Sequence, residues 1–219
     1  GGEYEKIDPV IDSILDLKNH TNKLIKNDIA KYLDLILLSA STKLRLGQKA
    51  HCKERLNKAL LIILSNQIEK KSIYLSRIYR ITGNLLFFSG DLDSAHFYYK
   101  KALSEIKDND PRSLKNKASC LQNIGIILTE KGVISEAKDY FLESLNLKKT
   151  LLGINSTSFA IANLNMGNYL LENEDFDGAE KFLERAEKIL KNNYGENSAL
   201  LTETYLLKGK LLYSKWEFN

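Results

Sequence analysis

Residues 125–144 read GIILTEKGVISEAKDYFLES, and the pattern of this stretch recurs along the chain at one spacing. Its first residue belongs to a series of four glycines, Gly83, Gly125, Gly167 and Gly209, each 42 residues after the last (125−83, 167−125 and 209−167). A period between about 20 and 50 residues is typical of solenoids, in which each repeat packs only on its neighbours. The spacing therefore predicts the architecture before any local pattern is considered.

Small and large side chains follow three of these glycines with the same period. A small residue comes twelve positions after the glycine, a bulky one four positions later, and another small one three positions after that. These sets are Ala95, Tyr99 and Ala102; Ala137, Phe141 and Ser144; and Ala179, Leu183 and Ala186. Small residues let two helix backbones approach closely, and the large side chain fills the remaining space. Each repeat is therefore predicted to be two antiparallel helices, A and B, joined by turns at 89–91, 131–133 and 174–176.

This pattern resembles the tetratricopeptide repeat (TPR). The resemblance rests on Gly83-Asn84-Leu85-Leu86, on residues 90–95, on Tyr99 and Ala102, and on their later copies. The usual unit has about 34 residues, and longer units such as these resemble the kinesin-light-chain type and many bacterial regulatory repeats. The resemblance covers roughly residues 33–219. It implies an all-α fold, a right-handed α–α superhelix (TPR solenoid) of antiparallel helix pairs with about four to five repeats.

The period also predicts the domain organisation. In the first, degenerate repeat Ala40 stands in the place of the glycine and Gly47 forms the turn. The predicted repeats are 33–75, 76–117, 118–159, 160–201 and a partial one, 202–219. Residues 3–32 are interpreted as an N-terminal capping helix or a partial repeat. Because the last repeat has a helix A without its helix B, we expect an open apolar edge there and a chain that is a fragment of a longer protein.

The composition argues against several classes of function. No stretch approaches the roughly 18 apolar residues that a membrane-spanning helix needs. The net charge of +4 is spread along the chain and is not clustered with aromatic residues, which does not favour nucleic-acid binding. Cys52 and Cys120 are interpreted as buried thiols, which fits a reducing, cytoplasmic compartment. Frequent Lys, Asn and Ile hint at a bacterial source.

Catalysis is not expected. The three histidines fall in different repeats, no metal-ligand spacing occurs, and no glycine-rich phosphate loop is present, so the sequence predicts no cofactor and no metal. The acidic residues at 172–177 are interpreted as part of the A–B turn, where carboxylates complement a helix N-terminus, and Asp108 and Asp110 as part of a linker. Pro111 suits the first position of the helix that follows the second cluster.

The candidate site is the surface of the A helices. The resemblance implies that they line the concave face, with exposed positions three residues before the repeat glycine and one, four and five residues after it. It also implies that Asn84 and Asn168 contact a ligand backbone or terminal carboxylate, as in peptide-clamping members of the family. An arginine can bind a carboxylate and an aromatic side chain can anchor a ligand. The predicted contact residues are Arg77, Arg80, Asn84, Phe87, Gln122, Ile126, Thr129, Leu164, Asn168, Leu171, Lys210 and Tyr213.

The sequence therefore predicts a scaffold that binds a protein or peptide partner. One alternative is a sensory segment of a larger bacterial protein, such as a CHAT-type protease, a histidine kinase or a transcription regulator. A second is self-association through the open C-terminal repeat. For the site residues, the alternative is that Arg77 and Arg80 pair with acidic neighbours and that Phe87 or Phe88 packs in the core.

Overall fold

The computed structural model describes residues 9, 11–13 and 29–217. Residues 29–217 form nine helices, residues 9 and 11–13 are also helical, and none of the described residues lies in a strand. The chain divides into two compact units, Gly1–Asp108 (unit 1) and Asn109–Asn219 (unit 2). The helices of unit 1 are α1 (Ile29–Arg45), α2 (Lys49–Ser65), α3 (Lys71–Phe87) and α4 (Leu92–Ser104). Those of unit 2 are α5 (Pro111–Glu130), α6 (Ile134–Leu152), α7 (Thr157–Glu172), α8 (Phe176–Tyr194) and α9 (Leu201–Glu217).

The helices pack as consecutive pairs. In unit 1, α1 packs on α2 and α3 on α4, while α3 also contacts α1 and α2. In unit 2, α5 pairs with α6 and α7 with α8, and α7 also contacts α5 and α6. Helix α9 packs on α7 and α8. This order of contacts confirms the all-α solenoid of helix pairs, with α1, α3, α5, α7 and α9 as the A helices.

The predicted repeat boundaries mark the sequence period and not the ends of helices. The boundaries after residues 75, 117, 159 and 201 fall inside α3, α5, α7 and α9. Most of the predicted capping segment 3–32 lies outside the described residues. Of its described part, Ile11 is buried, and Asp12 pairs with Lys43 of α1 at 2.6 Å and with Arg55 of α2 at 2.9 Å.

Every A helix that is followed by a B helix ends in the same hydrogen-bonded turn. At the end of α3, the N–H of Gly90 donates to the carbonyl of Phe87, and the N–H of Asp91 donates to that of Leu86. This arrangement needs a left-handed residue, for which glycine carries the least steric cost. That residue is Gly47, Gly90 or Gly132 in three turns, with φ between 74° and 82°, and Glu174 with φ 60° in the fourth.

At each of three repeat glycines, helix A lacks a side chain, and a bulky side chain of the B helix packs against the exposed backbone. We call such a glycine a notch. A Cβ added to Gly83 would lie 2.6 Å from the ring of Tyr99, and one added to Gly125 would lie 2.9 Å from that of Phe141. The corresponding distance from Gly167 to Leu183 is 2.7 Å. The flanking small residues of all three sets are fully buried, as predicted. Gly209 differs, because no atom of a residue that the structure describes lies within 4 Å of its added Cβ.

The paired helices are close enough for a buried serine hydroxyl on one helix to donate to a backbone carbonyl of the other, and the serine can lie on either helix. In the α3–α4 pair the hydroxyl of Ser76 on helix A donates to the carbonyl of Ala102 at 2.7 Å. In the α5–α6 pair the hydroxyl of Ser144 on helix B donates to the carbonyl of Ala118, also at 2.7 Å. These are the same two repeat positions (76+42 = 118 and 102+42 = 144), with donor and acceptor exchanged. Both helix pairs therefore form this hydrogen bond at the same distance, although the serine is on helix A in one pair and on helix B in the other.

Acidic side chains cap two helices of unit 2; the cap at Asp175 confirms the interpretation of the A–B turn, and the cap at Asp110 ends the predicted linker. The side chain of Asp110 accepts from the N–H groups of Arg112 and Ser113, directly before α5. Asp175 accepts from the N–H of Gly178 at 2.9 Å at the start of α8. Both carboxylates therefore satisfy N–H groups that lack partners within the helix.

Cys52 and Cys120 are buried, as predicted, and neither forms a disulfide with another described residue. Burial raises the pKa of the Cys52 thiol to about 11, so this thiol stays protonated and unreactive at neutral pH.

Alanine substitutions should have opposite effects at two glycines of unit 2. Gly125→Ala should lower the free energy of unfolding by about 1–3 kcal/mol, because the added methyl meets the buried Phe141 ring. Gly209→Ala should raise it by up to about 1 kcal/mol, because alanine favours the helix and meets no neighbour. Urea denaturation at low protein concentration measures both. A loss of stability in both variants would contradict the assignment of Gly125 as a packing notch and Gly209 as an open one.

Candidate functional site

The predicted contact residues lie on four A helices, as the repeat period requires. Those on α3 belong to unit 1, and those on α5, α7 and α9 belong to unit 2. The two groups are therefore described separately.

In unit 1, polar groups predicted to contact a ligand are bonded within the unit. Arg77 forms an ion pair with Asp34 of α1. The amide oxygen of Asn84 accepts a hydrogen bond from the hydroxyl of Tyr99 at 2.8 Å. For Arg77, the alternative interpretation as a partner of an acidic neighbour is thus confirmed. Asn84 helps to hold Tyr99 against the Gly83 notch, which is a structural task.

The aromatic residues at the end of α3 separate into two environments. Phe87 is half-buried, and its ring meets that of Phe88 edge-on with centroids 5.9 Å apart. Phe88 is 61% exposed, so the alternative interpretation that it packs in the core is wrong.

In unit 2, two of the predicted contact residues are not exposed. Leu164 and Leu171 are buried, with 2% and 5% of their surface accessible, so the expectation that they face a ligand is wrong. The reason is that α7 contacts four helices, α5, α6, α8 and α9, which leaves only a narrow stripe of its surface open. The prediction applied the same offsets from the glycine to every A helix, whether or not it had neighbours on both sides.

The open stripe of α7 carries Ile161, Asn165, Asn168 and Glu172, of which only Asn168 was among the predicted residues. Asn165 and Asn168 are half-buried and lie three residues apart, so their side chains share one face of the helix. Neither amide has a hydrogen-bond partner within the part of the chain that the structure describes. The sequence did hold a signal for Asn165, because Asn123 precedes it by one period.

Equivalent positions on the neighbouring A helices extend this stripe. Ile126 on α5 and Lys210 on α9 are one period before and after Asn168, and both helices contact α7. Lys210 pairs with Glu172 of α7 at 2.6 Å, which shows that the two helices meet at this face. We call this surface the amide face; it comprises Ile126, Ile161, Asn165, Asn168, Glu172 and Lys210.

Two other predicted residues on α5 are bonded internally. The hydroxyl of Thr129 donates to the carbonyl of Gly125 at 2.9 Å, within its own helix. The amide oxygen of Gln122 accepts from the ammonium of Lys148 on α6. Lys148 is buried, and burial lowers its pKa to about 8. One period later the same position holds the buried Leu190, so Lys148 is a charged group at an apolar core position.

Helix α9 has an apolar face that no described residue of the chain covers. Tyr205, Leu206, Leu212 and Trp216 are between 45% and 75% exposed. Tyr213, a predicted contact residue, is 58% exposed, and its hydroxyl donates to Glu217. These side chains surround Gly209, the notch that in the earlier repeats receives a residue of the B helix. We call this surface the α9 face; it comprises Tyr205, Leu206, Gly209, Leu212, Tyr213 and Trp216.

The described residues hold no cluster of three or more His, Cys, Asp or Glu side chains that could bind a metal ion. None of their helices combines the length and the apolar character that crossing a membrane requires.

Comparison with known proteins agrees with this geometry. Residues 117–158 match the sequence model of the family described as "Tetratricopeptide repeat". The chain carries a tetratricopeptide repeat. The crystal structure of BtubC (BKLC) from P. vanneervenii superimposes with a TM-score of 0.76, over 98% of this chain and 85% of that one, at 20% sequence identity. No curated protein sequence matches the chain.

The match identifies one tetratricopeptide repeat within the chain, at residues 117–158, and together with the superposition it confirms the predicted fold. The matched segment contains most of α5 and all of α6, the pair with the Gly125 notch. The repeat and the fold support a role in protein interaction in general terms. At 20% identity the likeness to BtubC concerns the fold alone.

Replacing Lys148 by leucine should stabilise the protein and change its response to pH. The folded-state pKa of Lys148 is about 8, below the ordinary value of 10.5, so the unfolded chain binds more protons between these values. The free energy of unfolding should therefore rise from pH 8 to 10.5, and Lys148→Leu should remove this rise. At pH 7 the variant should gain roughly 1–3 kcal/mol.

Urea denaturation across this pH range makes the measurement. Lys149→Leu is the control, because Lys149 is the adjacent residue and is exposed, and the substitution removes the same charge. If both variants gained the same free energy of unfolding, the proposal that burial of the Lys148 charge destabilises the protein would be contradicted.

Proposed function

We propose that this chain is a protein-interaction scaffold that binds an extended peptide segment of a partner along the concave side of its A helices. The contact surface is the amide face of unit 2. The observation that carries the proposal is the pair of amides on α7, Asn165 and Asn168, which have no hydrogen-bond partner among the described residues.

The chemistry of the amide face suits a peptide backbone. A side-chain amide offers two donors and an acceptor, so it can bond an N–H and a carbonyl of an extended chain. Ile126 and Ile161 beside the amides supply apolar contacts. The Lys210–Glu172 ion pair lies at one border of the amide face, where its charged groups can form hydrogen bonds with a polar ligand.

The rigidity of the fold supports affinity. Both asparagines are on one helix that four others hold in place. Little conformational entropy is then lost on binding, and more of the contact energy remains as affinity. The alternative role, as a sensory segment of a larger bacterial regulator, could use the same face and stays a prediction. We also propose a cytoplasmic location, which is supported by two buried cysteines that form no disulfide among the described residues.

A selection from a displayed peptide library, followed by calorimetry on the selected peptides, tests the amide face. Peptides should be recovered, and the double variant Asn165→Ala/Asn168→Ala should bind them about tenfold more weakly, because hydrogen bonds to the backbone are lost. Asn146→Ala is the control, since Asn146 is an exposed asparagine on the B helix α6. Failure to select any peptide, or equal binding by the double variant and the wild type, would overturn the proposal.

A second proposal concerns self-association, and a different observation supports it. Residues 205–213 read YLLKGKLLY, which is the same in both directions around Gly209. Tyr205 and Tyr213 lie four residues on either side of this glycine, and Leu206 and Leu212 lie three residues on either side. All four are between 45% and 70% exposed on the α9 face.

A palindromic face is self-complementary in an antiparallel pair of helices. With a twofold axis at Gly209, Leu206 of one copy would face Leu212 of the other, and the glycines would let the backbones approach. The lysines that flank the face do not add repulsion, because Lys208 pairs with Glu187 at 2.6 Å and Lys210 pairs with Glu172. We therefore propose that a second copy of the chain covers the α9 face.

Sedimentation velocity over a range of concentrations tests this dimer. The wild type should self-associate, and Leu206→Glu/Leu212→Glu should be monomeric, because four carboxylates would be buried in the interface. Leu61→Glu/Leu64→Glu is the control, since these leucines of α2 are equally exposed, at 66% and 65%. Gly209→Cys should form an intermolecular disulfide on oxidation if the helices cross at this residue.

A wild type that is monomeric at every concentration would overturn the dimer. So would dissociation by the α2 control variant to the same extent as by the α9 variant.

A further inference from the structure

Unit 1 contains a half-open groove of about 540 Å³ between α2, α3 and α4. This volume lies within the range of small-molecule sites, which is about 300–1,000 Å³. Its lining is mainly apolar, with Leu56 and Leu60 of α2 facing Ile78 and Leu85 of α3. The groove belongs to unit 1, whereas the amide face belongs to unit 2.

The groove exists because unit 1 has smaller side chains at positions that are filled in unit 2. Leu56 corresponds to Phe141 two repeats later (56+43+42), and Leu85 corresponds to Tyr169 (85+42+42). In unit 2 the rings of Phe141 and Tyr169 lie against each other, with centroids 5.6 Å apart, and both are buried. Thr82, which also lines the groove, corresponds to the buried Met166. The space that these side chains occupy in unit 2 is therefore open in unit 1.

Two positions carry more bulk in unit 1 and form a wall of the groove. Tyr79 corresponds to Asn163, and Ile78 corresponds to Ala162. The ring of Tyr79 lies 6.1 Å from that of Tyr98 on α4, and both rings line the groove. Side chains are therefore larger at Ile78 and Tyr79 and smaller at Leu56, Thr82 and Leu85 than at the equivalent positions of unit 2.

The charged residues at the groove have one sign. Lys49 and Lys53 of α2 both line it, and no acidic residue does so among those described. The ammonium of Lys49 donates to the carbonyl of Phe88 at 2.6 Å. Lys53 lies one turn further along α2 and is exposed. An anionic group at this end of the groove would therefore meet a lysine and no carboxylate.

The amide of Asn57 and the hydroxyls of Tyr79 and Tyr98 also line the groove, while two further hydroxyls of the lining donate to carbonyls of α3. The hydroxyl of Thr82 donates to the carbonyl of Ile78 at 3.0 Å, and that of Ser89 donates to the carbonyl of Leu85 at 2.8 Å. A peptide has an N–H and a carbonyl at almost every residue and would need partners for them. A hydrocarbon body with a single charged head needs none along its length. The leucines and the isoleucine of the lining, together with its two lysines, favour the second kind of molecule.

We propose that the unit 1 groove binds a small amphipathic carboxylate, an unbranched alkyl chain with one anionic head. The chain lies along Leu85 and the Tyr79–Tyr98 wall, and the carboxylate lies at Lys53.

Isothermal titration with decanoate below its micelle concentration, and with decanol as its uncharged counterpart, tests this site. The wild type should bind decanoate more tightly than decanol. Thr82→Met/Leu85→Tyr places the side chains of unit 2 into the groove and should abolish the binding of both. If this double variant fails to fold, as judged by circular dichroism and Tm, Thr82→Met is used alone, and it should lower the binding affinity for both ligands.

Lys53→Gln separates the head group from the chain. This substitution should lower the affinity for decanoate about tenfold, as expected for loss of one charged hydrogen bond, and leave the affinity for decanol unchanged. Lys138→Gln is the matched control, because Lys138 is the exposed lysine at the same repeat position in unit 2 (53+43+42). No binding of decanoate by the wild type would overturn the proposal, as would undiminished binding by the filled variant. An equal loss in the Lys53 and Lys138 variants would overturn the placement of the carboxylate.

Discussion

The contact between a repeat glycine on helix A and a bulky side chain on helix B is the constraint on which the rest of this structure depends. A single added methyl at Gly83, Gly125 or Gly167 would approach the opposing side chain to between 2.6 and 2.9 Å. Because the two backbones are this close, a serine on either helix can reach the carbonyl of the other, and the small flanking residues are fully buried. Each helix pair is thereby fixed as one rigid element, and pairs can differ elsewhere without losing their geometry.

Differences between equivalent positions of the repeats mark residues whose identity is not explained by packing of the helix pair alone. Lys148 stands at a core position that the next repeat fills with Leu190, and Leu85 leaves open a space that Tyr169 occupies in unit 2. At Glu174 a residue other than glycine adopts the left-handed conformation of the turn. A repeat protein supplies its own reference for such departures, because the neighbouring repeats show what the same backbone position holds when packing alone decides.

The candidate surfaces differ in how much of a helix its neighbours leave open. Helix α7 contacts four others, so only a narrow stripe with Asn165 and Asn168 reaches solvent. Helix α9 contacts only α7 and α8 among the described helices, and its Gly209 notch faces open space. A narrow polar stripe on a fully supported helix suits an extended peptide, whereas a broad apolar face suits another helix. The same repeat position can therefore serve different kinds of contact in successive repeats.

The sequence by itself determined the period, the helix pairs, the glycine notches and the acidic helix starts, because each depends on local spacing that repeats every 42 residues. It did not determine which A-helix residues face solvent. Leu164 and Leu171 are buried since four helices surround α7, and Arg77 pairs with Asp34, which is 43 residues away along the chain. Exposure and pairing depend on which non-adjacent helices meet and on the directions that their side chains take. Only the tertiary structure decided these, and with them the amide face and the unit 1 groove.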